Sequence, residues 1–70
     1  MQTEKLVVMA NQIAAYFAAY PEERARRGVL EHIDAFWAPR MRAALAECAR
    51  HEECGLHPLA RWAAGELSSR

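Results

Sequence analysis

Net charge of one sign is the first thing this 70-residue sequence lacks: nine Lys and Arg are matched by nine Asp and Glu. Without net positive charge the chain has no general attraction for phosphate, so no nucleic-acid partner is expected. Long apolar runs are missing as well. The longest uncharged stretch, Leu6 to Tyr20, is interrupted by Asn11 and Gln12 and falls short of the roughly 20 apolar residues that cross a bilayer. No membrane partner is expected. The opening Met1-Gln2-Thr3-Glu4-Lys5 has no basic region leading into an unbroken apolar segment, which argues against a signal peptide and for a cytoplasmic chain. Two cysteines, Cys48 and Cys54, are too few for a disulfide framework, and a reducing compartment would keep them as thiols. The three glycines, Gly28, Gly55 and Gly65, are isolated, so there is no glycine-rich phosphate loop.

What is present is helical. The stretches between Pro21, Gly28, Pro39, Gly55 and Pro58 are rich in Ala, Leu, Met, Glu and Arg, all good helix formers. The expected fold is all-α, a small bundle of three helices plus a short C-terminal helix, forming a single helical domain over residues 1–70. Helices are expected at about 4–20, 22–37, 39–53 and 58–66. Thr3 can cap the first, and Pro21 and Pro39 each disfavour helix at the residue before them and can serve as the first residue of the next helix. Gly28 is a candidate break in the second helix, and Gly55 a left-handed stop for the third. Ser68 to Arg70 are expected to fray. Inward positions are Leu6, Met9, Ala10, Ile13, Phe17 and Tyr20 on the first helix, and Ala25, Val29, Ile33, Phe36 and Trp37 on the second. Met41, Leu45 and Cys48 follow on the third, and Leu59, Trp62 and Ala63 on the last. A core this small leaves the monomer marginal in stability.

The first helix carries more apolar surface than a small bundle can cover. With each residue advancing 100°, Leu6, Met9, Ile13, Tyr16, Phe17 and Tyr20 occupy about 100° of arc, an ordinary core stripe. Val7, Val8, Ala14, Ala15, Ala18 and Ala19 point elsewhere, and no charge occurs between Lys5 and Glu22. That far face is expected to meet another chain, with Asn11 and Gln12 hydrogen-bonding across the contact. The plainer alternative is an alanine-rich face left in water.

Candidate chemistry is sparse. Cys48-x-x-His51-x-x-Cys54-x-x-His57 offers four potential zinc ligands, but all lie within ten residues and a continuous helix would fan them round its axis. The alternative places Cys48 in the core and leaves His51 and His57 in solvent. Neither thiol stands at an expected helix N-terminus that would activate it, and the carboxylates are dispersed over helix faces, so no catalytic residue is assigned. The segment from His32 to Arg42 concentrates aromatics, Met and Arg, the residue types that dominate protein interfaces. Phe36 and Trp37 point about 100° apart, so that one can be buried while the other reaches a neighbour. Arg40 and Arg42 can offer planar forks to a partner, or stand as solvated surface charges. Arg24, Arg26 and Arg27 read as surface solvation. The candidate partner-contact residues are thus Val8, Asn11, Gln12, Ala15, His32, Phe36, Trp37, Arg40 and Arg42.

Leu6 followed by Met9-Ala10-Asn11-Gln12-Ile13-Ala14, then Phe17, Pro21 and His32-Ile33 leading into Phe36-Trp37-Ala38-Pro39-Arg40-Met41-Arg42, resembles the delta subunit of NAD-dependent formate dehydrogenase over about residues 4–46. The resemblance implies a small, non-catalytic accessory subunit of a soluble cytoplasmic complex that oxidises formate and passes electrons to NAD. It further implies that the molybdenum or tungsten pterin, the iron-sulfur clusters and the flavin belong to larger subunits, leaving this chain without a cofactor. Its partners would be those larger subunits, and its role assembly or stability. The alternatives are a self-associating helical interaction module unrelated to formate oxidation, and a zinc-stabilised domain built on Cys48, His51, Cys54 and His57.

Overall fold

The computed structural model describes residues 3–69 and is all-α, with α1 (Thr3–Phe17), α2 (Glu22–Phe36), α3 (Pro39–Ala49) and α4 (Pro58–Ser68). A short 3-10 turn, Glu52–Cys54, lies between α3 and α4. Proline marks three of the boundaries. Pro21 is the N-cap of α2, its carbonyl accepting from Ala25 N at 2.9 Å, while Pro39 and Pro58 stand in the first turns of α3 and α4. Ahead of Pro39, Trp37 and Ala38 are both extended, which makes the α2–α3 turn very tight.

Two helices end earlier than periodicity suggests. α1 stops at Phe17 instead of Tyr20, because the chain must turn through Ala18 and Ala19 to present Pro21 as a cap. α3 stops at Ala49, and Gly55, at φ 82°, closes the 3-10 turn that follows. By contrast α2 runs unbroken through Gly28. A β-carbon there would fall on the ring of Phe17, so glycine at this position admits an aromatic side chain from α1 against the α2 backbone.

The core is built largely from alanine. Ala10, Ala14, Ala25, Ala60, Ala63 and Ala64 are buried together with Leu6, Val29, Ile33, Trp37, Leu45 and Leu56. Small side chains let helices approach closely, and α4 uses three of them to pack against the rest. The C-terminal helix is therefore no short appendage: at eleven residues it equals α3 and supplies Ala60, Ala63 and Ala64 to the core.

Packing on alanine also rotates α1. Leu6, Ala10, Ile13, Ala14 and Phe17 face the core, an arc displaced by roughly 60° from the stripe of large side chains. Met9, Tyr16 and Tyr20, expected inside, are exposed, whereas Ala14 and Val7, expected outside, are buried and half-buried. On α2 the same correction applies to Phe36, which is 75% exposed while its neighbour Trp37 is 5% exposed. Cys48, expected inside, is only half-buried, and it is Cys54 that packs against the core.

Candidate functional site

The rotation of α1 leaves one uncovered arc. Ala15, Val8, Gln12, Tyr16 and Met9 follow one another around about 120° of the helix, and all five are exposed, Tyr16 by 67% and Val8 by 56%. Only Glu4 and Lys5 bring charge to its N-terminal end. Along its inner edge the arc runs into a shallow groove of about 490 Å³ between α1 and α2, formed by Met9, Gln12, Ile13, Tyr16, Phe17, His32 and Trp37. The ring centroids of Tyr16 and Phe17 are 5.0 Å apart at near right angles, an edge-to-face contact on the rim.

On α2, His32 and Phe36 are one turn apart and their ring centroids are 4.9 Å apart. Phe36 lines a second hollow with Phe17, Gly28 and Ala35, edged by Arg24 and Arg27. Of the residues expected to contact a partner, Val8, Gln12, Ala15, His32 and Phe36 thus share one α1–α2 surface. Arg40 is exposed in the first turn of α3. Tyr16 and Met9 join this surface although periodicity assigns them to the core, while Phe17, packed against the core as expected, reaches its edge. The signal that could have found them is the alanine at every fourth position, Ala10 and Ala14, on the side that packs.

Three expected contact residues serve the fold instead. Asn11 points into the molecule, donating from Nδ2 to Gly55 O at 2.9 Å and accepting from His57 N at 2.8 Å, which ties α1 to the start of α4. Trp37 is core. Arg42 folds back on the end of α2, donating from Nη1 to Trp37 O at 2.9 Å and Asp34 O at 3.2 Å, and so satisfies carbonyls that the helix terminus leaves open. Two of the arginines read as surface charges stack on rings: Arg24 on Tyr20 and Arg26 on Trp62, at 5.1 and 5.4 Å.

The Cys/His series does not converge on one point. Cys48 and Cys54 are bonded to each other, with Cα atoms 5.8 Å apart, because the 3-10 turn carries Cys54 back over the last turn of α3. This corrects the expectation of free thiols. His57 caps α4, its Nδ1 accepting from Leu59 N, while His51 Nε2 lies 3.6 Å from Glu47. Among the described residues no three His, Cys, Asp or Glu side chains are grouped to hold a metal ion, so a zinc-stabilised domain on these four residues is not built. No helix of the described residues is long and apolar enough to cross a membrane.

The family model for the NADH-dependent formate dehydrogenase delta subunit FdsD matches residues 5–64. The match extends beyond the segment carrying the sequence resemblance, through the Cys48–Cys54 turn and into α4. Neither a curated protein nor a solved structure matches the chain.

Proposed function

The chain belongs to the NADH-dependent formate dehydrogenase delta subunit family, and from that premise we propose that it is a non-catalytic accessory subunit that docks on a larger subunit of a cytoplasmic formate dehydrogenase and supports its assembly or stability. The observation that carries this reading is the uncharged arc of α1, Ala15, Val8, Gln12, Tyr16 and Met9, continuous with His32 and Phe36 across the α1–α2 groove. A mixed aromatic, Met and aliphatic surface with few charges at its centre has the composition of an interface core.

Co-expression with the larger subunits tests the proposal, with affinity capture on the catalytic subunit and an assay of formate-dependent NAD reduction. The wild-type chain is expected to co-elute stoichiometrically, and omitting it to lower the yield of active complex. Val8→Asp and Phe36→Asp change exposed positions and are expected to abolish co-elution while the free chain stays folded by circular dichroism. Arg42→Ala is expected to weaken the fold of the free chain, since Arg42 closes the end of α2. Retention of both Asp variants in the complex would refute docking through this face.

A further inference from the structure

The turn between α3 and α4 brings two sulfur atoms together and is also fastened by hydrogen bonds from other elements. Arg61 of α4 donates from Nη1 to Ala49 O and from Nη2 to His51 O at 3.2 Å and Glu52 O at 3.4 Å, fastening the end of α3 and the 3-10 turn. Asn11 of α1 grips Gly55 O and His57 N just beyond Cys54. Leu56, between those two anchors, is buried in the core. Cys48 and Cys54 lie inside this fastened segment, six residues apart in sequence and 5.8 Å apart at Cα, a separation at which the two sulfurs can bond without backbone movement. Neither residue is fully buried.

We propose that Cys48 and Cys54 form a reversible dithiol–disulfide site whose reactant is a low-molecular-weight thiol and disulfide couple. In the oxidising direction, the thiolate of one cysteine attacks the reactant disulfide, forming a mixed disulfide and expelling one reactant thiolate. The second cysteine thiolate then attacks the protein sulfur of that mixed disulfide, forms the Cys48–Cys54 bond and expels the other. Two protein thiols are oxidised, one reactant disulfide is reduced to two thiols, and the protons of the cysteines pass to solvent and the departing thiolates. The reducing direction is the reverse, with two reactant thiols. The Arg61 and Asn11 hydrogen bonds involve neither sulfur, so breaking the Cys48–Cys54 bond removes none of them and the exchange can proceed within the folded chain. The site lies on α3 and the 3-10 turn, apart from the α1–α2 surface, and stands whether or not that surface docks on a formate dehydrogenase subunit.

The full-length chain, prepared reduced, can be equilibrated with glutathione buffers from fully reduced to fully oxidised, quenched, alkylated and weighed intact. The expected result is interconversion of two monomeric species, one carrying two alkyl groups and one carrying none and two hydrogens lighter than the unmodified dithiol, with the same mixture approached from either direction. Cys48→Ser and Cys54→Ser are each expected to stop at a single glutathione adduct. The proposal is overturned if the wild-type thiols stay free in excess oxidised glutathione, or if adducts or inter-chain disulfides accumulate in place of the internal bond. It is equally overturned if the bond, once formed, persists in excess reduced glutathione while circular dichroism shows a folded chain. Capture by the larger subunits is a separate readout, and its loss with normal exchange would count against docking alone.

Discussion

Asn11 ties α1 to the turn before α4 by using both ends of its amide, with Nδ2 on Gly55 O and Oδ1 on His57 N. Asn11→Ala removes both bonds and leaves the half-buried His57 N–H without its acceptor, a loss of about 1 to 2 kcal/mol. In a chain of this size that lowers the melting temperature by roughly 5–15 °C, measurable by thermal denaturation. Below the transition the variant is expected to bind the larger subunits like the wild type, which an interface asparagine would not. The residue stood out in the sequence as a polar interruption of an apolar helix, but its partners are 44 and 46 positions away, beyond anything helical periodicity encodes. Gly28 is the converse case. Its lack of a side chain looked like a helix break, whereas the structure uses the space for the ring of Phe17. Gly28→Ala should gain ~1 kcal/mol of helix propensity and lose more than that to the displaced ring, for a net cost of about 1 kcal/mol. In a Phe17→Ala background the ring is gone and the same substitution is expected to be stabilising. A double-mutant cycle by urea denaturation checks the reversal of sign.

At the scale of elements, proline and glycine made the helices legible. Pro39 in the first turn of α3 and the left-handed Gly55 stand where the chain changes direction. The face of α1 was harder to read because hydrophobic size and packing geometry disagree. Leu, Met and Tyr define the larger moment, but Ala10 and Ala14 allow the closer approach of neighbouring helices, and burial follows the close approach. The end of α3 was illegible for another reason: it is fastened from α4 by Arg61, whose guanidinium donates to the carbonyls of Ala49, His51 and Glu52. Arg61→Met keeps the apolar stem and deletes the fork. In the reduced chain this is expected to cost about 1 to 2 kcal/mol and to speed hydrogen exchange across residues 51–56. In the oxidised chain the Cys48–Cys54 ring holds the same segment and itself adds roughly 2 kcal/mol, so the exchange effect should be smaller. Equal effects in the two states would show that the fork and the disulfide act independently.

The whole molecule is as compact as a folded chain of its length should be, with a radius of gyration of 10.7 Å against the ~11 Å given by size scaling. Exposure of Tyr16, Val8 and Phe36 is thus not a consequence of a loose fold. Among the described residues four helices close around the alanine-rich core and leave this face uncovered. With no net charge to keep copies apart, that face should bring isolated chains together as concentration rises. Sedimentation velocity over a wide concentration range is expected to show reversible self-association of the wild-type chain, and Val8→Asp with Tyr16→Asp to remain monomeric. Both positions are exposed, so this double variant should keep its melting temperature within a few degrees. Adding the larger subunit at about 100 times its dissociation constant should stabilise the wild type by ~2.7 kcal/mol and leave the variant unaffected. The two measurements must agree, because one surface is asked to explain both. A wild-type chain that stays monomeric and is not stabilised by the larger subunit would make the α1 arc a face that water tolerates, and the subunit contact would then have to lie elsewhere, with the exposed Arg40 of α3 the next place to look.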